Sequence, residues 1–269
     1  MENSQRMRDR VAGYAVMEQV VRLHDDVPPR SAVARAFGVR PVTPDARPWF
    51  AGALGEREVG ATLDRLPDGW TAFHALPVGS GDADIDHLVV GPGGVFAVST
   101  KNHSGAEVWV GERAVLVNGA KKPYLRNSEF EASRIRKVLA TAGLVAPVNA
   151  VVAVVGAKKL TVRQQPARVA VLSADGLNRW LTRRPSVIDA ATVAAIVRVV
   201  DDPATWRSTQ QSPPPERRDL TSADTVERFD AIAREDRSAR VVRLGWLVAI
   251  ALSALAVSLP FLPGGLLGH

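Results

Sequence analysis

Residues 81–105, GDADIDHLVVGPGGVFAVSTKNHSG, constrain this chain more than any other stretch. Residues 84–90 and 95–101 are rich in β-branched and apolar side chains. Gly91-Pro92-Gly93-Gly94 between them has the composition of a sharp reversal, so the pattern predicts an antiparallel hairpin. Side chains alternate across a strand. Asp82, Asp84 and Asp86 therefore share one face of the first strand, and Ser99 and Lys101 share one face of the second. Acidic groups and an ammonium beside an apolar hairpin suit a divalent cation and a phosphate. They equally suit a solvated strand edge, and these residues alone leave both open.

The flanking sequence predicts further strands and helices. In residues 1–26, Val11, Tyr14, Met17, Val20, Val21 and Leu23 recur three and four apart, the spacing of an amphipathic helix. Glu18, Gln19 and Arg22 interrupt the apolar run, so this is not a signal peptide. Such a helix is expected to pack on the domain, on a second copy of the chain or on a membrane surface. Pro28, Pro29, Pro41, Pro44 and Pro48 mark a wandering connector, with Trp49 and Phe50 anchoring its end. Residues 51–66 predict a helix through Leu54, Val59, Ala61, Leu63 and Leu66, closed by Pro67-Asp68-Gly69. Glu56 and Glu58 would fall in its first turns, where the helix dipole favours acids.

Residues 70–78 read as a strand, and 106–110 with 114–117 as a second hairpin in which Trp109 packs. Asn118-Gly119 begins a turn carrying Lys121 and Lys122. Residues 124–143 predict a helix with an apolar stripe of Leu125, Phe130, Ile135, Val138 and Leu139, ended by Gly143. Arg126, Arg134, Arg136 and Lys137 occupy its remaining surface, either as an ordinary solvated face or as a track for a nucleic-acid backbone. Residues 148–155 are almost wholly apolar, as in a strand buried on both faces. A short strand at 169–172 and helices at 177–181 and 190–200 follow. Strands separated by helices around a buried central run predict an α/β sandwich.

The chain has 269 residues, no cysteine and a formal net charge of +6. Disulfides, thiolate metal sites and thiol nucleophiles are excluded. The basic balance favours phosphates, whether of nucleic acid or of lipid headgroups. No P-loop, zinc spacing or Ser-His-Asp order stands out. Residues 201–219, with Pro213-Pro214-Pro215, read as a linker, and 221–243 as a charged helix of mixed sign. Residues 244–262, LGWLVAIALSALAVSLPFL, carry no charge. As a helix they would extend about 28 Å, close to a hydrocarbon core of roughly 30 Å. Pro260 and Pro263 would kink or end it, and a buried or dimer-forming helix is the other reading. Arg234, Arg237, Arg240 and Arg243 precede the run, which predicts a single-pass anchor in the cell membrane with the soluble part facing the cytoplasm. The expected division is 1–50, N-terminal helix and connector; 51–202, folded domain; 203–243, linker; 244–262, transmembrane helix.

Leu54-Gly55-Glu56-Arg57-Glu58-Val59, Ile85-Asp86-His87-Leu88-Val89-Val90, Gly94-Val95-Phe96 and Thr100-Lys101-Asn102-His103-Ser104-Gly105 occur in series. In order and spacing they resemble the nuclease-related domain (NERD) family over roughly residues 50–160. That resemblance implies a restriction-endonuclease-like fold, a central mixed sheet flanked by helices, here with an N-terminal helix and a C-terminal transmembrane helix added. It implies a phosphodiesterase site using Mg²⁺ or Mn²⁺. Asp86 would be the main metal ligand, Lys101 the phosphate or water partner and Glu56 an outer acid. Asp84 would be a second candidate ligand, on the same face as Asp86. Ser99 departs from the family pattern, standing where the Glu of an E-x-K pair is expected, and a neutral hydroxyl is a poor ligand for a hard cation. His87 is either a base or ligand, or a histidine held by a backbone partner. Lys101, His103, Lys121, Lys122 and Arg126 would meet nucleic acid. Two functions follow: a membrane-tethered nuclease acting on DNA or RNA, or a non-cutting module of the same fold that binds nucleic acid or a protein partner. A homodimer is a candidate assembly.

Overall fold

The structure, a computed structural model, describes residues 6–77, 84–207 and 222–258. Asp82, the Gly79-Ser80-Gly81 connector, the triple proline of the linker, and Pro260 to Pro263 lie outside the described residues.

After a 3-10 turn at Met7–Asp9 come α1 (Tyr14–Asp25), α2 (Ala32–Ala36) and α3 (Arg47–Leu63). The strands β1 (Thr71–Pro77), β2 (Asp84–Gly91), β3 (Gly94–Asn102), β4 (Glu107–Gly111), β5 (Ala114–Val117) and β6 (Ala120–Lys122) follow. Then come α4 (Tyr124–Thr141), β7 (Val148–Val155), β8 (Lys159–Val162) and β9 (Val169–Ser173). Four α-helices follow among the described residues: α5 (Leu177–Thr182), α6 (Ala190–Asp201), α7 (Pro203–Arg207) and α8 (Ser222–Ser258).

The principal sheet has the order β1-β2-β3-β7-β9 and is mixed. Its first three strands are antiparallel, while β3, β7 and β9 run parallel. A helix covers each face, because the hairpin strands alternate apolar residues between two cores. Leu88, Val90, Val95 and Ala97 pack with Ile135 and Leu139 of α4. Val89, Phe96 and Val98 pack with Val59 and Leu63 of α3. Burying each such side chain stabilises by about 1.5–3 kcal/mol, and a one-residue slip of register would exchange the two faces. A smaller sheet, β6-β5-β4-β8, lies alongside. Its β5–β6 reversal places Asn118 and Gly119 at φ 48° and 81°, the paired positive angles that Asn-Gly adopts readily.

A third core joins α1, α3 and α8 through Met17, Val20, Val21, Phe50, Phe229 and Ile232. The N-terminal helix thus packs on the domain, the first of its three expected partners. Residues 222–243 are helical, as their charge pattern predicts. They do not stand apart, however: Arg57 pairs with Asp230 and its guanidinium lies 5.6 Å from the Phe229 ring.

Several local expectations are corrected. The connector contains α2, and α3 starts at Arg47, so Glu56 lies mid-helix, beyond the reach of the N-terminal dipole. Trp49 is 45% exposed and anchors nothing, whereas Phe50 is buried. Phe130 is 61% exposed and carries Arg134 over its ring; the inward stripe of α4 is Ser128, Ala132, Ile135 and Leu139. Lys121 and Lys122 lie in a strand, not in a turn. Strand β8 was not expected: Lys-Leu-Thr-Val alternates polar and apolar residues, but over only four positions.

Candidate active site

The β2–β3 ladder pairs Gly91 with Gly94 and continues to His87 opposite Val98. Beyond that pair a side chain takes over from the backbone. The N–H of Thr100 donates to Asp86 Oδ2 at 2.6 Å. Asp86 is thereby wedged at the open end of the hairpin, with Lys101 next in chain to its donor. Gly55 brings α3 to the same place: a Cβ there would sit 3.0 Å from Asn102 Cβ, so only glycine permits this approach without a shift. Asn102 Nδ2 completes the clamp by donating to Ala51 O at 2.8 Å. Glu56 follows directly on α3, half-buried, while Glu58 points to solvent.

Glu131 of α4 also reaches this cluster, and sequence reasoning missed it. It is half-buried, and its Oε2 is enclosed without a hydrogen-bond partner. Three acids therefore share the field of one lysine, Asp86 from β2, Glu56 from α3 and Glu131 from α4, and Asp84 of β2 adds its charge at Glu56. Asp86 raises the pKa of both glutamates, and Asp84 and Glu131 add to the rise at Glu56. Burial, then the charges of Asp86, Asp84 and Glu131, pushes Glu56 up to about 9 against the opposing pull of Lys101. Burial, then Asp86, pushes Glu131 up to about 7, opposed by Lys101 and Arg134. Burial raises Asp86 as well, with Lys101 and the Thr100 N–H opposing. Asp84 is engaged elsewhere in part, its Oδ2 lying 3.6 Å from Arg10 Nη2. Among the described residues, no three acidic or histidine side chains are close enough to one point to form a ready-made metal cage. The acids share a field without sharing a centre.

Ser99 is 1% exposed on β3, at the register position two residues before Lys101. It contributes no charge. Glu131, arriving from the helix against this face, supplies a carboxylate to the same neighbourhood. A glutamate on an amphipathic helix reads locally as a surface charge, and only the packing of α4 reveals it.

His87 is fully buried and held by side chains, not by the backbone. Its Nδ1 lies 2.8 Å from His74 Nδ1, and its Nε2 lies 3.2 Å from Thr100 Oγ1. Burial, then His74, holds its pKa well below the usual value, so it stays neutral. His74 in turn reaches Asp64 Oδ1 at 3.2 Å. The pair stiffens the strand behind Thr100.

On the other side, Lys101 Nζ lies 5.7 Å from the centre of the Tyr124 ring, and Tyr124 Oη lies 2.9 Å from His103 Nε2. Burial, followed by Lys122 and Lys101, lowers the His103 pKa. Immediately past Tyr124, Lys121, Lys122, Pro123, Leu125 and Arg126 line a cleft of about 620 Å³ with Arg113 and Arg168. Glu112 and Glu129 also line it, so its wall is basic but not uniformly so. Of the expected nucleic-acid residues, Lys101 and His103 thus meet at Tyr124, while Lys121, Lys122 and Arg126 line the cleft.

Fold and cluster together define an α/β domain with an acidic cluster, served by one lysine, at the end of a β-hairpin between two helices. Residues 51–155 match the family model of the nuclease-related domain, and this part of the chain is a nuclease-related domain. No match was found among curated proteins or among solved structures. Outside that domain, α8 is the one helix among the described residues long and apolar enough to cross a membrane.

Proposed function

We propose that this chain is a membrane-anchored phosphodiesterase of the nuclease-related type, acting on nucleic acid at the cytoplasmic face with Mg²⁺ or Mn²⁺. The observation that carries this reading is the gathering of Asp86, Glu56 and Glu131 around Lys101 at the forked end of the hairpin. The donor set suits a hard divalent cation: carboxylate oxygens only, one of them enclosed and unpartnered. Asp86, oriented by the Thr100 N–H, would be the main ligand, with Glu131 in place of the acid that Ser99 lacks and Glu56 outside it. When bound, such a cation polarises a phosphoryl oxygen and acidifies a water. Lys101, steadied over Tyr124, would balance charge developing on the phosphate. His103 with Lys121, Lys122 and Arg126 of the cleft would track the polynucleotide backbone, a contact weakened by salt. Arg234, Arg237, Arg240 and Arg243 before the apolar half of α8 support the cytoplasmic orientation.

A second reading is favoured by Ser99 and by the lack of a preformed cage among the described residues: the fold binds nucleic acid or a protein partner without cutting. Titrating the full-length protein in detergent with Mn²⁺ by calorimetry, followed by incubation with single- and double-stranded DNA and RNA, separates the two. Metal-dependent cleavage that disappears in Asp86→Ala supports the enzyme. Salt-dependent nucleic-acid binding with neither metal uptake nor cleavage leaves the non-cutting module.

A further inference from the structure

Helix α2 and the turn after it expose apolar side chains that the domain does not use. Val33, Phe37 and Val39 are 65%, 58% and 53% exposed. A floppy loop could tuck such groups away, but this one is clamped to α8. Phe37 stacks on Trp246 with ring centroids 5.4 Å apart, and Trp246 Nε1 donates to Ala36 O at 2.8 Å. Gly38, at φ +65°, lies so close to α8 that a Cβ would meet Ala239 O at 2.5 Å and Arg243 N at 2.7 Å. Arg40 reaches Asp236 of α8 at 2.7 Å, and Arg30 reaches Glu235 at 2.9 Å. The segment is therefore fixed at one level of α8, between Glu235 and Trp246.

That level is where α8 changes character. Above it, Phe229 and Ile232 are buried in the domain; from Leu244 to Leu255 the helix exposes its apolar side chains. The exposed apolar surface of α2 is thus continuous with that of the outgoing helix, through the Phe37–Trp246 stack. Arginines border it: Arg35, Arg237, Arg240 and Arg243 are exposed there. Apolar tips rimmed by cations at a membrane-helix boundary match the headgroup zone of an anionic bilayer, where tryptophan also prefers to lie.

We propose that the α2 turn is a membrane seat: Val33, Phe37 and Val39 enter the interfacial layer of an anionic bilayer beside the exit of α8, fixing the height and tilt of the domain. This rests on the reading of α8 as a membrane anchor. Its consequence is geometric. Arg57, next to Glu56, pairs with Asp230, fourteen residues before Leu244. At the helical rise, the acidic site would stand about 20 Å above the bilayer surface. It would be held there, not swung on a tether.

The chain has no cysteine, so single labels can be placed cleanly. Val33→Cys, Val39→Cys, Leu252→Cys as a reference for the span, and Glu112→Cys as a remote reference would each carry a nitroxide. The full-length protein is placed in phosphatidylcholine–phosphatidylglycerol vesicles. Relative accessibility to oxygen and to a water-soluble nickel chelate reports depth. The expected result is Leu252 at hydrocarbon depth, Val33 and Val39 at headgroup depth with chelate accessibility several-fold below that of Glu112, and Glu112 in water. Leu252 in lipid with Val33 and Val39 as wet as Glu112 overturns the seat and leaves the anchor standing. Leu252 in water overturns the anchor and the seat together. Dipolar broadening between labels at Val33, lost on dilution with unlabelled protein, would show that a second copy of the chain covers the patch, which also overturns the proposal.

Discussion

Two of the regions that bury carboxylates in this molecule treat them in opposite ways. Asp236 on α8 is 1% exposed and receives hydrogen bonds from Arg40 at 2.7 and 3.1 Å and from Arg240 at 3.0 Å. Burial alone would raise its pKa, but the two guanidinium groups hold it below the ordinary carboxylate range. At the hairpin end, Glu56, Asp86 and Glu131 share the single ammonium of Lys101, and burial drives all three upward. Asp236 is a joint, locking the α2 turn to the last helix. The hairpin cluster has more acid than the protein's own cations neutralise, a condition that structure alone does not favour. Buried acids whose pKa values are displaced in this way concentrate at functional sites.

The contrast can be broken most directly at the joint. Asp236→Ala leaves Arg40 and Arg240 facing a buried gap. Truncating one partner of a buried pair costs about 3–5 kcal/mol, and because Arg240 reaches water the loss here is expected near the lower end. Thermal unfolding of the full-length protein in detergent should show it as a Tm several degrees lower. Loss of Asp236 with no change in Tm would mean the two regions do not differ as described.

The pH dependence of stability should have opposite signs in the two regions. Asp236 has a lowered folded-state pKa, so its contribution is present above the ordinary carboxylate pKa and is lost as pH falls through the folded value. Glu56 and Glu131 have raised folded-state pKa values, about 9 and about 7. Between pH 4.5 and those values the folded state holds more protons than the unfolded one, so stability falls as pH rises. Without metal, Glu56→Gln should remove much of that fall, a gain on the order of 2 kcal/mol at pH 8 relative to the parent. If Glu56→Gln is instead destabilising at that pH, the cluster is not short of positive charge.

Metal affinity sharpens the same point at a smaller magnitude. Glu131→Gln keeps the size and polarity of the side chain and removes only the charge proposed to replace the acid that Ser99 lacks. Mn²⁺ affinity by calorimetry should drop about tenfold, which is about 1.4 kcal/mol. Proton release on binding, measured in buffers of different ionisation enthalpy, should fall with it. Unchanged affinity would place the cation, if any, away from α4.

What the sequence revealed and what it hid divide along local and long-range physics. The β2–β3 hairpin and β7 were legible because turn residues and β-branched runs act on their own neighbours. Of the four acids, Asp84 and Asp86 were legible through alternation along one strand, and Glu56 only through the family resemblance. Glu131 was hidden because its role depends on which face of α4 turns inward. Phe130 made the wrong face look apolar: its ring lies in solvent beneath Arg134 while Ser128 and Ala132 face the sheet. The union of α8 with α1 and α3 was hidden for a similar reason. Its charged half is mixed in sign, and only Phe229 and Ile232 face the third core squarely.

The smallest expected effect is also the cleanest control. Glu58 and Glu56 are the same residue type, two positions apart on one helix, and differ in what surrounds them: Glu58 is exposed, while Glu56 is half-buried beside Asp86. Glu58→Gln makes the same formal change in a chain whose formal net charge is already +6. If net charge were what matters, the two variants would behave alike. An exposed substitution away from any partner changes stability by no more than about 0.5 kcal/mol, so Glu58→Gln should leave Tm, its pH slope and Mn²⁺ affinity where they were. A Glu58→Gln variant that reproduces the pH response of Glu56→Gln would reduce the acidic cluster to a bulk electrostatic effect, and the difference between the two buried-carboxylate regions would go with it.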